Sequence, residues 1–259
     1  MVRALLIAVV FFTVTPVLIS IQWLLGKLEI PGWGFIACNY YKLLRVLLRI
    51  RVHVEGAPVR SSAALYISNH VSWVDIVVIG SLSPVAFVAK SEVRKWPLVG
   101  ITAEIQRTVF VDRTRRHRTG DAVGEIAERL ASRTSVVLFA EGTSSDGNRV
   151  LPFRSALIGA IEQAGDIVIQ PMSIGYTAQH GMPMGRQYRP LVAWYGDLDF
   201  MPHIKAFIAR GAVDAVVSYS APLTADSTTD RKTMTRTLEG AVRGLNAAAL
   251  YRPPRRAPS

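Results

Sequence analysis

Residues 63–75 read AALYISNHVSWVD, an apolar run that ends in a group of polar side chains. The run itself, residues 63–68, predicts a strand buried on both faces of a sheet. Asn69, His70 and Asp75 follow it, at the start of a predicted helix. Because sites in open α/β sheets form where the strands end, these side chains lie in a favourable position for chemistry.

The alternation of apolar runs and helical patterns continues along the chain. Continuous apolar runs predict further strands at 85–89, 108–112, 135–140, 167–176, 191–195 and 215–219. Helical periodicity predicts helices at 119–131, 153–164 and 230–249. This order predicts an α/β domain over 55–250, with a mixed, mainly parallel sheet flanked by helices. The prolines and arginines of residues 251–259 indicate a disordered basic tail.

The N-terminal part of the chain predicts a pair of membrane helices over residues 1–54. Residues 4–25 carry no charge and are long enough to cross a bilayer core of about 30 Å, with a kink at Pro16. Residues 34–51 place three basic side chains opposite a stripe of leucines, which is typical of a helix lying in a lipid interface.

Two arrangements of these helices remain open. In one, residues 4–25 span the membrane, and the positive charge after residue 26 places the rest of the chain on the cytoplasmic side. In the other, a kinked hairpin enters a single leaflet. A cleaved signal peptide is disfavoured because only Arg3 precedes the apolar run and no small-residue cleavage site follows it.

The composition limits the classes of partner. With 30 Lys and Arg against 19 Asp and Glu, the formal charge is +11, which suits anionic lipid and nucleic acid alike. The uncharged stretch beside the basic residues favours a lipid bilayer and argues against nucleic acid. A single cysteine, Cys38, excludes a disulfide scaffold, and five scattered histidines predict no metal site.

The first motif pairs a histidine with a carboxylate. Near neutral pH, His70 can accept the proton of an alcohol, while Asp75 can hold the other ring nitrogen and stabilise the imidazolium. A spacing of five does not bring two side chains to one helix face, so they meet only if His70 lies in the turn before the helix. Alternatively, Ser72 or Asn69 caps the helix and His70 is an incidental loop residue.

The second motif follows the apolar run 135–140. Glu141, Gly142 and the hydroxyls of Thr143 and Ser144 can hold a polyol hydroxyl close to the backbone. A polar turn explains the same composition equally well.

A third segment, 108–112, leads into Arg113, whose guanidinium can bind a phosphate or a carboxylate. Its alternative is a solvated arginine-rich loop. The fourth segment, 169–174, has no titratable group, so it predicts a segment that packs in the core and takes no part in the chemistry.

Together, the order and spacing of these segments resemble the glycerolipid acyltransferase family, which includes bacterial 1-acylglycerol-3-phosphate acyltransferases. The resemblance covers roughly residues 30–225. The matching residues are Asn69, His70 and Asp75 in the first block, Val109–Arg113 in the second, Phe139 and Glu141–Thr143 in the third, and Pro171 in the fourth.

The resemblance implies a membrane-bound O-acyltransferase of the bacterial inner membrane, with its catalytic domain on the cytoplasmic side. It would move an acyl group from acyl-CoA or acyl carrier protein to the free hydroxyl of a lysolipid, most often 1-acyl-sn-glycerol-3-phosphate, without a cofactor. His70 would deprotonate that hydroxyl and Asp75 would orient His70. The residues that would bind the acceptor are Asn69, Arg113, Glu141, Gly142, Thr143 and Ser144.

Two departures from the family pattern bear on the acceptor. Ala140 replaces a usual proline, and Ser144 stands where the family has an arginine associated with the acceptor phosphate. Residues 141–148 and 193–197 look similar to the branch that acylates lyso-ornithine lipid, whose head group carries a carboxylate and an amine. Lyso-ornithine lipid is therefore the alternative acceptor. A non-catalytic basic peripheral membrane protein is the alternative from another class.

Overall fold

A computed structural model describes residues 2–28, 33–96, 98–111, 118–158, 167–224 and 230–251. Arg113 and residues 252–259 of the predicted tail lie outside the described residues.

Within these residues, a nine-stranded sheet forms the centre of the protein. Its strands are β1 Ile50–Glu55, β2 Ala64–Ser68, β3 Ala86–Lys90, β4 Val109–Val111, β5 Val136–Phe139, β6 Val168–Gln179, β7 Met182–Pro183, β8 Val213–Tyr219 and β9 Leu223–Thr224. Their order is β1-β8-β6-β2-β5-β3-β4, with β7 and β9 paired to β6. Strand β2 is parallel to both β5 and β6, whereas β6 is antiparallel to β8, so the predicted mixed, mainly parallel sheet is confirmed.

Helices cover both faces of the sheet. They are α1 Val2–Val9, α2 Thr15–Lys27, α3 Trp33–Leu47, α4 Val74–Gly80, α5 Val99–Ile105, α6 Arg118–Ala131, α7 Ser155–Ile158, α8 Phe200–Arg210 and α9 Arg231–Tyr251. One core cluster joins the sheet to α3, α4 and α8, and a second joins it to α6, α7 and α9. In β2, Tyr66 faces the first cluster and Ile67 the second, which explains why this strand has no polar face.

The prediction of a strand at 191–195 is wrong. Residues Arg189–Leu191 form a 3₁₀ turn, and the chain then passes over the end of the sheet, where the N–H of Trp194 donates to the carbonyl of Val71 at 2.9 Å. The run is apolar because Val192 and Ala193 are buried in the core, not because the segment joins the sheet.

The helix predicted over 34–51 ends at Leu47, before its predicted end. Arg49 adopts a positive φ of 57°, which breaks the helical path. Its carbonyl accepts a hydrogen bond from the N–H of Val213 at 3.0 Å, and Ile50 then begins β1 beside β8. The sheet therefore starts before residue 55, where the α/β domain was predicted to begin.

The two predicted helices at 119–131 and 230–249 are confirmed as α6 and α9. Of the helix predicted at 153–164, the described part is the short α7.

The apolar N-terminal segment forms one continuous helix from Val2 to Lys27, long and apolar enough to cross a membrane. A π-helical turn, Val10–Val14, separates α1 from α2. This turn lies just before Pro16, which has no N–H to donate within the helix, so a wider turn is accommodated there.

This helix contacts α3 and the α/β domain along most of its length. Ile7 packs against the first core cluster, the hydroxyls of Thr15 and Tyr40 lie 2.5 Å apart, and Nε2 of Gln22 donates to the carbonyl of Ile105 at 3.3 Å. At about 1.5 Å per residue, the contacts from Ile7 to Gln22 extend over roughly 22 Å. The opposite side is an exposed apolar face, formed by Leu5, Leu6, Val9, Phe12, Val17, Ile21 and Leu24.

Candidate active site

His70 and Asp75 meet at the end of β2. His70 lies in the turn between β2 and α4, and Asp75 lies in the first turn of α4. The Nδ1 atom of His70 is 2.7 Å from Oδ2 of Asp75. No side chain caps α4 in the way the alternative interpretation requires, so Ser72 and Asn69 do not account for the motif.

The Asp75 carboxylate is fully buried and hydrogen-bonded on both oxygens. Besides His70, Oδ2 accepts the N–H groups of Val71 at 2.7 Å and Ser72 at 3.0 Å. Oδ1 accepts the hydroxyl of Tyr176 at 2.6 Å. These four donors compensate the cost of removing a carboxylate from water and fix its orientation.

The His70 imidazole is held in one orientation, and among the described residues its Nε2 has no hydrogen-bond partner. Its ring stacks on Phe139, with centroids 4.1 Å apart and planes inclined by 16°. Because the Asp75 carboxylate accepts a hydrogen bond from Nδ1–H, the neutral ring keeps its proton on Nδ1 and carries its lone pair on Nε2. The side chain is 22% exposed, so a bound molecule can reach it.

Glu141 joins the third block to the His70 turn. Its Oε2 accepts the His70 N–H at 3.1 Å, and its Oε1 accepts the Leu151 N–H at 2.8 Å. Burial raises the pKa of Glu141 to about 8, although these two N–H groups lower it. Both carboxylate oxygens thus bond to the protein's own backbone, so the contact observed for Glu141 positions the turn that carries His70.

The rest of the third block folds tightly around this contact. Gly142 has a φ of 71°, a left-handed conformation that favours glycine, and its N–H donates to the Phe139 carbonyl at 3.1 Å. Thr143 is exposed beside it. The Ser145 N–H donates to the His70 carbonyl at 2.9 Å, so the third block lies directly over the first.

Ser144 contacts a segment that lies far away in the sequence. Its hydroxyl donates to the carbonyl of Trp194, whose own N–H is bonded to the Val71 carbonyl. The segment containing Trp194 is thereby fixed to both the first and the third block.

Asn69 anchors the His70 turn to β6. Its side chain is buried, and its Oδ1 and Nδ2 bond the N–H and the carbonyl of Ile174, both at 2.9 Å. Asn246 of α9 donates to the same carbonyl at 3.0 Å. The structure therefore places Asn69 in a contact with backbone, while Arg113 lies outside the described residues.

Tyr176 and Asn246 were not among the residues predicted for the site, and the segment containing Trp194 was noted without its contacts to Ser144 and Val71. Tyr176 ends the apolar run 167–176, which predicted a buried strand but gave no sign of a hydroxyl facing a carboxylate. Trp194 lies in the wrongly predicted strand. Of these residues, only Asn246 could have been noticed in the sequence, because it is a polar side chain on the apolar stripe of the predicted helix 230–249.

Comparison with known proteins agrees with the four blocks. A family model described as Acyltransferase matches residues 49–175. The lyso-ornithine lipid O-acyltransferase of Brucella abortus (strain 2308) is 44% identical over 256 residues, which cover 96% of each chain. The chain belongs to the acyltransferase family.

Two further comparisons concern a second relative and a solved structure. The lyso-ornithine lipid O-acyltransferase of Rhizobium meliloti (strain 1021) is 38% identical over 250 residues, 94% of this chain and 86% of the relative. The crystal structure of the 1-acyl-sn-glycerophosphate acyltransferase PlsC from Thermotoga maritima superimposes with a TM-score of 0.67, at 21% identity over 98% of this chain and 99% of that one. This last similarity shows a PlsC-like fold.

The expectation that the acceptor is 1-acyl-sn-glycerol-3-phosphate is not supported. An acyltransferase named for that acceptor, from Neisseria gonorrhoeae, is 27% identical over 191 residues, 74% of this chain and 72% of its own. The more similar acyltransferases above are named for lyso-ornithine lipid, the alternative acceptor.

Proposed function

We propose that this acyltransferase moves a fatty acyl group from an acyl thioester to the free hydroxyl of lyso-ornithine lipid. The observation that carries the proposal is the 44% identity with a lyso-ornithine lipid O-acyltransferase over 96% of both chains.

The contact of Ser144 supports the choice of acceptor. Where the family pattern has an arginine associated with the acceptor phosphate, this chain has a neutral hydroxyl that bonds the Trp194 carbonyl. The position therefore supplies no positive charge. An acceptor that presents a carboxylate and an amine does not require one there.

The proposed reaction uses His70 as the general base. Nε2 takes the proton of the acceptor hydroxyl while the oxygen attacks the thioester carbonyl, forming a tetrahedral intermediate. When the intermediate collapses, the carbon–sulfur bond breaks, the ester forms, and the imidazolium returns its proton to the leaving thiolate. Asp75 stabilises the imidazolium between these steps. The donor is acyl-CoA or acyl carrier protein, and the transfer needs no acyl-enzyme and no cofactor.

Substrate preference tests this proposal. Detergent-solubilised protein is offered lyso-ornithine lipid and lysophosphatidate together with one labelled acyl donor, with His70→Ala as the background. We expect kcat/KM to favour lyso-ornithine lipid by about tenfold or more, because buried polar groups discriminate strongly between head groups. A preference for lysophosphatidate would contradict the proposed acceptor, and transfer to neither would favour the non-catalytic alternative.

We also propose that the helix Val2–Lys27 lies with α3 in one leaflet, at the cytoplasmic face of the inner membrane. The helix is bound to α3 and to the α/β domain over roughly 22 Å, at 1.5 Å per residue. A perpendicular crossing would carry Glu104 and Arg107, which flank the Gln22 contact at Ile105, into the hydrocarbon at high cost. In one leaflet, only the exposed apolar face enters lipid. The basic residues after residue 26 favour the cytoplasmic side.

A charge on the exposed apolar face should weaken membrane binding. Phe12 is 65% exposed on that face, so Phe12→Glu should weaken binding to anionic vesicles by about tenfold or more, given about 2.5–3.5 kcal/mol for a charged side chain in hydrocarbon. Vesicle sedimentation measures the effect. Val54→Glu is the matched control, since Val54 is 46% exposed on the edge strand β1. Unchanged binding of the Phe12 variant would place the anchor elsewhere.

A further inference from the structure

Tyr176 contacts the oxygen of Asp75 that His70 does not use. The tyrosine side chain is buried, and its hydroxyl donates to Oδ1 at 2.6 Å, while His70 bonds Oδ2 at 2.7 Å. We infer that Tyr176 is a positioning residue that sets the proton affinity of His70 through Asp75. The inference rests on the proposed role of His70 as general base.

The physical basis is that Tyr176 and His70 both donate hydrogen bonds to the Asp75 carboxylate and share its negative charge. A hydroxyl that donates to Oδ1 draws negative charge away from Oδ2, so the carboxylate stabilises the imidazolium of His70 less strongly. The neutral, proton-accepting imidazole therefore persists to lower pH. Burial raises the pKa of Tyr176 well above its usual value, and the neighbouring charge of Asp75 raises it further, so the hydroxyl remains a donor throughout the assay range.

The backbone of β6 aims Tyr176 at this carboxylate. Asn69 fixes β6 at Ile174, two residues before Tyr176 and on the same face of the strand. The register of β6 against β8 then shifts between Tyr176 and Ala178. Tyr176 is the last residue of β6 before this irregularity, and it still pairs with Ala215 of β8.

The other charged groups around this pair are left intact by a change at Tyr176. Glu141 bonds the His70 N–H, and its carboxylate and that of Asp75 repel each other. Arg243 of α9 acts electrostatically on Glu141. Since Tyr176→Phe alters none of these groups, a shift in its pH profile reports on the lost hydroxyl.

The test is the pH dependence of kcat/KM with lyso-ornithine lipid. In Tyr176→Phe we expect the acidic limb to move to higher pH by about 0.5–1 unit, with the plateau at high pH within about threefold of the original protein. Tyr66→Phe is the matched control, because Tyr66 is also a buried tyrosine, with its hydroxyl donating to the Val59 carbonyl at 3.3 Å. Its acidic limb should stay in place.

A second variant covers the case in which Tyr176→Phe does not fold. Tyr176→3-fluorotyrosine keeps the ring and strengthens hydrogen-bond donation, so its acidic limb should move to lower pH. A limb that stays fixed in the folded variants, or that moves equally in Tyr66→Phe, would overturn the inference. If His70→Ala retained activity, the proposed base itself would fail, and that result is separate from any shift caused by Tyr176.

Discussion

His70→Ala should reduce acyl transfer by about 10³-fold or more, since general base catalysis contributes about 10²–10⁴-fold and this residue also returns the proton to the leaving thiolate. The effect is expected to be large because Nδ1 of this imidazole is bonded to a buried carboxylate, while Nε2 bonds none of the residues that the structure describes. Steady-state transfer with saturating acyl donor measures it.

The fold should survive this substitution. His70 is held mainly through its backbone, whose N–H bonds Glu141 and whose carbonyl accepts the Ser145 N–H, and alanine keeps both contacts. Circular dichroism and vesicle binding should therefore be unchanged. His53→Ala is the matched control: this side chain is 53% exposed on β1 and should leave the rate unaltered. Transfer above a tenth of the original rate in His70→Ala would exclude His70 as the base.

Asp75→Asn should lower kcat by about 10²–10⁴-fold and leave KM for the acceptor nearly unchanged, as expected for a residue that supports the base. Asparagine can keep an oxygen towards the Val71 and Ser72 N–H groups, but it has no charge to stabilise the imidazolium. If it turns its amide nitrogen towards them, donors face donors. Either arrangement disfavours the protonated His70 that the reaction requires.

Comparing the kinetic constants of Asp75→Asn and Asp214→Asn separates the support of His70 from a general effect of losing one negative charge. Asp214→Asn removes a carboxylate from β8 that lies 3.7 Å from His53, so it serves as the matched control with unchanged kcat. An Asp75→Asn protein in which KM alone rises would show that Asp75 binds the acceptor and does not orient the base.

Local contacts explain which parts of the site could be predicted. His70 and Asp75 are five residues apart in one strand–turn–helix unit. Their spacing allowed only one arrangement in which the two side chains meet, with His70 in the turn before the helix, and this contact could therefore be predicted. Tyr176 reaches Asp75 across a separation of 101 residues, and a contact of that kind depends on the order of β2 and β6 in the sheet. No pattern within either segment specifies it.

The same distinction accounts for the fold. Strands buried on both faces, such as β2 and β5, are continuous apolar runs and were predicted. Strand β1 lies at the edge of the sheet and alternates apolar and polar residues in the sequence IRVHVE. Its first two residues, Ile50 and Arg51, also continue the pattern of apolar and basic residues of the preceding helix, so they were predicted as the end of that helix. The run 191–195 was misread because burial produces an apolar sequence whether or not the backbone joins a sheet.

The shared contacts of Ile174 also affect when the site can form during synthesis. The Ile174 carbonyl accepts both Asn69, beside the catalytic histidine, and Asn246, near the end of α9. Strands β2, β5 and β6 all precede α9 in the chain, so until α9 is synthesised the peptide that anchors the His70 turn lacks one of its partners. Completion of the site thus waits for α9, and an acyltransferase whose synthesis stops before α9 would carry every catalytic side chain without the full support that holds them in place.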